Sequence, residues 1–134
     1  MPRHFTPGEA NDELHEIRPL AEKLVAHRQE QRRLQAERSE LAARISGNGG
    51  GLDAQAVAQL ERAERHERVE IARCVNEIHR HGAIVKDLDT GLVDFPAVRE
   101  GEEILLCWRL GEDEVAHWHG LEEGFAGRKP LDPE

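Results

Sequence analysis

AIVKDLDTGLVDFPAVREGEEILLCWRLGEDEVAHWHGLEEGFAGR, from Ala83 to Arg128, decides the fold. Its period is two, with β-branched and aromatic residues, and it reads as strands over about Ala83–Leu88, Leu92–Phe95, Glu102–Arg109 and Glu114–His119. Asp89-Thr90-Gly91, Arg99-Glu100-Gly101 and Gly111-Glu112-Asp113 supply the turns. Such short connections predict an antiparallel meander of four strands. Both tryptophans, Phe95 and Phe125, Cys107, His117 and His119 also fall here. In a chain whose aromatic content is 4%, that concentration places the core and any site in this third.

Working back toward the N-terminus, the periodicity becomes helical. Thr6-Pro7-Gly8-Glu9 opens a helix: Thr6 as N-cap, Pro7 at the first helical position, Glu9 closing a capping box, and Phe5 stapled onto Ala10. Ile17, Leu20, Leu24, His27, Gln31, Leu34, Arg38, Leu41 and Ile45 then recur by threes and fours, a coiled-coil-like seam running to Ser46. Pro19 predicts a kink or break near Ile17. Gly47-Asn48-Gly49-Gly50-Gly51 ends the helix and reverses the chain through a flexible tip. A second helix runs from about Asp53 to His81, with a stripe of Val57, Leu60, Glu64, Glu67, Ile71, Cys74 and Ile78, and Gly82 as its stop. Folding about Gly49 sets Leu34 near Glu64, Gln31 near Glu67 and Leu24 near Cys74, so the seam is apolar at its ends and polar in the middle.

The fold class is therefore α+β, a long antiparallel helical hairpin (about 7–81) packed on an antiparallel meander (about 83–119), with a polar tail over 120–134 from which Leu121 and Phe125 dock. At 134 residues this is a single domain, 1–134. A formal net charge of −9 disfavours a phosphate-backbone surface and hence nucleic acid. No apolar run approaches the roughly 20 residues that span a bilayer. With a polar N-terminus, Cys74 and Cys107 read as reduced thiols of a cytoplasmic protein.

The i, i+2 spacing of His117 and His119 puts both on one strand face, and the turn at Gly111 decides whether Cys107 joins them. A two-residue loop, Gly111-Glu112, pairs Arg109 with Glu114 and brings Trp118 to the Cys107 side. A three-residue loop, Gly111–Asp113, pairs Cys107 with His117 and Leu105 with His119. Glycine at the first loop position suits a type II′ turn and an Arg109–Glu114 ion pair follows, which favours the shorter loop. Ile104, Leu106 and Trp108 claim the helix-facing side. The opposite face then carries Cys107, Arg109 and Asp94, beside either Trp118 or His119.

Other polar groups offer less specific chemistry. Asp87, Asp89 and Asp94 flank one turn and have the composition of a cation or acid–base site, although Asp89 is also an ordinary turn residue and DLDTG lacks the remaining ligands of a calcium loop. Arg109 and Arg128 suit a carboxylate or phosphate clamp, or simple pairing with neighbouring carboxylates. His79 and His81 fit a helix C-terminus, and Cys74 fits the core. His27, Gln31, Glu64, His66 and Glu67 form a polar layer without the paired Glu-x-x-His motif of carboxylate bundles.

The strings FTPGEAN…EIRPL, KDLDTGLVDFP, LLCWRLGEDE and WH…GFAGR together resemble a small prokaryotic protein family of unknown function, over essentially the whole chain. The resemblance implies signature positions at Asp87, Asp89, Asp94, Cys107, Trp108, Arg109, Glu114, Trp118, His119 and Arg128. His117 stands where an aromatic residue is expected, which separates it from a family-wide site.

Three classes of function fit these residues. One is an assembly module whose helical arms form a homodimer, burying the flanks of Leu34, Leu41, Ile45, Val57 and Leu60. Another is a binder of a small anionic ligand or a transition metal, haem included, with Cys107 and His119 as metal ligands and Asp87, Asp94, Arg109, Trp118 and Arg128 around a ligand. The third is an enzyme on the same residues, for which no matched nucleophile–base pair or closed metal motif is present.

Overall fold

The computed structural model describes residues 3–48 and 54–131. Two helices come first, α1 (Pro7–Asn48) and α2 (Ala54–Arg80), followed by β1 (Ile84–Asp87), β2 (Leu92–Arg99), β3 (Glu102–Arg109), β4 (His117–Gly120) and β5 (Lys129–Pro130). The strands lie side by side in chain order, every neighbouring pair antiparallel. This is the expected α+β meander with one strand more than the four predicted.

The start of α1 follows from its first residues. The Thr6 N–H donates to Glu9 Oε1 at 2.9 Å and the Glu9 N–H to Thr6 Oγ1 at 3.1 Å, a reciprocal capping box. Phe5 and Ala10 are buried in one cluster, as the staple requires. Of the kink or break expected near Ile17, the break does not occur: α1 continues through Pro19. Leu14, Ile17 and Ala21 are packed around that point, and burial of this face offsets the one hydrogen bond proline cannot donate. The helix also runs two residues past Ser46, to Asn48. The expected tip at Gly49–Gly51 lies outside the described residues.

One sheet face receives the helices. Val93 and Phe95 of β2 and Ile104, Leu106 and Trp108 of β3 pack with Leu14, Ile17, Ala21 and Ile78 in a single core. A second cluster of Leu24, Ile71 and Cys74 adjoins Val85 and Leu88. Farther out the hairpin seam turns polar, as expected, with His27 Nδ1 at 2.8 Å from Glu67 Oε1 and Arg38 paired with a nearly buried Glu64.

Two details explain how this sheet tolerates its residues. Glu100 and Gly101 both take positive φ, 51° and 80°, giving the tight primed turn that joins Arg99 to Glu102. Pro96 is accommodated because β1 reaches only as far as Asp94, and the edge beyond it is covered by Phe5, whose N–H donates to Pro96 O at 2.7 Å.

The loop between β3 and β4 departs from both hairpins considered. Leu110-Gly111 form the bend, closed by the Glu112 N–H donating to Arg109 O at 3.0 Å, and pairing resumes only at His117. The resulting register joins Cys107 to His117 and Leu105 to His119. It is the pairing of the longer alternative, so the favoured two-residue loop is corrected. The physical reason lies in α1. Arg18 donates to the carbonyls of Glu112 and Asp113 at 3.0 and 2.8 Å, Trp108 Nε1 donates to Glu112 O at 2.9 Å, and Asn11 Oδ1 accepts from the Val115 N–H at 2.7 Å. These bonds hold the loop against the helix and satisfy backbone groups that a tight hairpin would have paired.

Candidate metal centre

Alternation and register together decide what meets on the sheet face turned away from the helices. Asp94 on β2 lies opposite Cys107 on β3, and His119 reaches the same place from β4. Their ligand atoms, a carboxylate oxygen, Sγ and an imidazole nitrogen, all lie within 4.8 Å of one another. All three residues are buried, at 1%, 0% and 3% exposure.

The tail seals this face. After a single 3-10 turn at Phe125–Gly127, β5 pairs with β4, and the Leu131 N–H donates to Ala116 O at 2.9 Å. Phe125 lies under two guanidinium groups, Arg109 at 4.6 Å and Arg128 at 4.1 Å from its ring centre. Arg128 also grips both carboxylate oxygens of Glu112, at 3.0 and 2.6 Å, and its charge favours the Cys107 thiolate. Leu121, expected to dock, is instead exposed, and Leu131 packs on the core.

Electrostatics follow from this enclosure. Burial first, and then the Asp94 charge, push the Cys107 thiol up to about 11, against the opposing effect of Arg128. A thiol so placed is protonated near neutral pH and is a poor nucleophile until a cation takes its proton's place. Burial alone would raise the Glu112 carboxyl, but the Arg128 bonds and the Arg109 backbone N–H outweigh it and hold that carboxyl below its usual range.

Glu112 therefore keeps its charge in the fold at pH values where the unfolded carboxyl is already protonated. Its contribution is fully present above the unfolded pKa, about 4.3, and is lost as pH falls through the lower folded value. Glu112→Gln is expected to cost about 2 kcal/mol near neutral pH. The deficit should shrink toward pH 3, which denaturant melts at the two pH values would measure.

His119 carries the most informative geometry. Its Nδ1 lies 2.8 Å from Gly120 O, an atom that only accepts, so Nδ1 holds a hydrogen. Its Nε2 lies 3.1 Å from Asp94 Oδ2. In the neutral ring, a lone pair and a carboxylate oxygen would then face each other in a buried site, with a proton or a cation required between them. The remaining oxygen, Asp94 Oδ1, is buried and has no hydrogen-bond partner. Lys86, the bulged residue of β1, sets its ammonium 3.8 Å from Asp94 Oδ2.

The other residues singled out by sequence separate from this cluster. Asp87 closes its own turn, accepting from the Asp89 N–H and from Thr90 Oγ1, both at 3.0 Å. Asp89 bonds Arg28 and Arg32 of α1 at 2.9 and 2.8 Å, so the three aspartates do not form one site. Trp118 lies on the helix-facing side, beneath Arg99 and Lys129 at 4.8 and 4.6 Å. The pairing of Arg109 with Glu114 is replaced by the stack on Phe125, and Glu114 is exposed. His81 pairs with Glu13 at 3.1 Å. Sequence reasoning missed Glu112 and Lys86. Glu112 looked like a turn residue, whereas the alternation of Ile84, Val85 and Lys86 carries Lys86 to the Asp94 face and could have found it.

Comparison with curated proteins and with solved structures returned no match. The profile of one family matches residues 3–131, nearly the whole chain, and this chain accordingly belongs to the family described as "Uncharacterized conserved protein (DUF2203)".

Proposed function

We propose that this protein binds a divalent transition metal of the zinc type through Cys107 Sγ, His119 Nε2 and one oxygen of Asp94. The observation that carries the reading is the His119–Asp94 contact, in which a ring nitrogen already committed on its other side faces a carboxylate with an unpartnered oxygen. A proton between Nε2 and Oδ2 would satisfy those two atoms alone. A metal ion serves the imidazole, the carboxylate and the sulfur together. The N–H donated by His119 to a backbone carbonyl is the outer bond that fixes and strengthens an imidazole ligand. Thiolate with imidazole selects a borderline or soft transition metal over calcium or magnesium. Bond lengths of about 2.0–2.3 Å bring tetrahedral donors roughly 3–4 Å apart, which small rotamer adjustments within this cluster reach. Arg109, Arg128 and the tail then act as its cover, with the Arg128 charge favouring the coordinated thiolate.

Elemental analysis of protein purified without chelator is the direct test, with one equivalent of metal expected per chain. Cys107→Ser and His119→Ala should each lose it. If both variants retain every bound species and lose only stability, the cluster is a structural polar core and the reading fails.

A second reading concerns assembly and rests on the length of the hairpin. At about 1.5 Å per residue the 42 residues of α1 extend roughly 63 Å, while a strand of 8 residues covers about 27 Å. Leu41, Ile45, Val57 and Leu60 remain only half-buried along the outer arm. A homodimer covering those flanks is the arrangement we favour. Sedimentation at tens of micromolar should give the dimer mass, and a monomer there would end this proposal.

A further inference from the structure

We infer that the remaining coordination position of this centre takes a small oxygen-donor anion, a carboxylate or an inorganic oxyanion, with Lys86 as the group that draws it in. The inference rests on the metal reading and extends it from the three protein ligands to what the bound ion would face.

Three observations lead there. Protein donors occupy three positions, and a four-coordinate ion of the zinc type keeps one for an exogenous ligand. The second observation is the charge balance. A divalent ion with the Asp94 carboxylate, the Cys107 thiolate and neutral His119 sums to zero. Arg128, on the sulfur side, is neutralised by Glu112 through two bonds. Lys86 has no such counterpart: its one ion pair among the described residues is with Asp94, whose charge the metal takes over. Loading the site therefore releases an uncompensated ammonium next to it, and an anion on the open position restores balance.

The third observation is access. The ligand residues are at most 3% exposed, and the Arg128 side chain is 15% exposed. The Lys86 side chain is 40% exposed, so it connects the buried cluster to solvent. Alternation along β1 creates this placement: Ile84 pairs with Asp94 and Val85 with Val93 of the helix-facing side, so Lys86 shares the face of Asp94, and the bulge that follows leaves it without a partner on β2.

The test uses the full chain loaded with Co²⁺, whose visible and sulfur-to-metal charge-transfer bands report coordination. Inorganic phosphate and acetate are titrated in separate arms. A saturable change in the visible bands with either anion, with the sulfur band retained, supports the inference and shows which donor class is preferred. Lys86→Ala should weaken that anion by about tenfold or more while one equivalent of cobalt is still bound, and Lys86→Arg should restore most of the affinity. Unchanged bands up to tens of millimolar of both anions, in protein that holds its cobalt, would overturn the anion site and leave the metal reading standing. Equal anion affinity in Lys86→Ala would remove Lys86 from it. Absence of any cobalt–thiolate band would defeat the metal reading and this inference with it.

Discussion

Trp108→Ala is expected to lower the unfolding free energy by about 3–5 kcal/mol, the range for removing a large aromatic from a packed core. Against a total of about 5–15 kcal/mol for a domain, that is enough to shift the thermal midpoint by roughly 10–20 °C. The indole is fully buried at the centre of the sheet's helix-facing side, between β2 and the loop that α1 holds in place. Its loss leaves a void flanked by Val93 and the first turns of α1, elements too well tied to collapse into it. Trp108→Phe separates packing from polarity. It keeps most of the volume and removes only the donor to Glu112 O, a carbonyl that still receives Arg18 at 3.0 Å. That variant should cost about 1–2 kcal/mol. Chemical denaturation of the three proteins would order them, and a fully stable Ala variant would contradict the core described here.

The second large effect is stabilisation by metal. An ion that binds the folded chain and not the unfolded one adds about 2.7 kcal/mol at a hundredfold excess over its dissociation constant and about 4.1 kcal/mol at a thousandfold excess. Zinc should therefore raise the thermal midpoint by roughly 10 °C or more, and a chelator should reverse the gain. His119→Ala should abolish the shift, because it removes one of three donors and leaves Asp94 buried without its partner. The gain should also fall at low pH. The Cys107 thiol, which burial pushes up to about 11, must release its proton on binding, so each step toward acid opposes the metal.

Much of this architecture was legible because each level of the sequence agreed with the next. Thr6-Pro7-Gly8-Glu9 specified a capping box from local chemistry alone, and the structure contains both of its bonds. The alternation of Ile104, Leu106 and Trp108 identified the helix-facing side, and its complement placed Asp94 and Cys107 together. The register of His119 was not legible in the turn. It is set by Arg18 and Asn11, nearly a hundred residues earlier, and turn propensity is blind to such long-range bonds. β5 was illegible for a different reason. Lys129 and Pro130 have no alternation to read, and they join the sheet because Arg128 and Leu131 on either side are anchored. The separation of Asp87, Asp89 and Asp94 shows the limit of proximity in sequence. Arginines of α1 took Asp89, the turn took Asp87, and only Asp94 was left facing the thiol.

The most direct measurement of the central claim is K-edge X-ray absorption of the zinc-loaded protein. The account predicts one sulfur neighbour at about 2.3 Å with the remaining nitrogen and oxygen neighbours at about 2.0–2.2 Å, and loss of the sulfur shell in Cys107→Ser. A first shell made only of nitrogen and oxygen in the wild-type chain, or a sulfur shell that persists in Cys107→Ser, would contradict it.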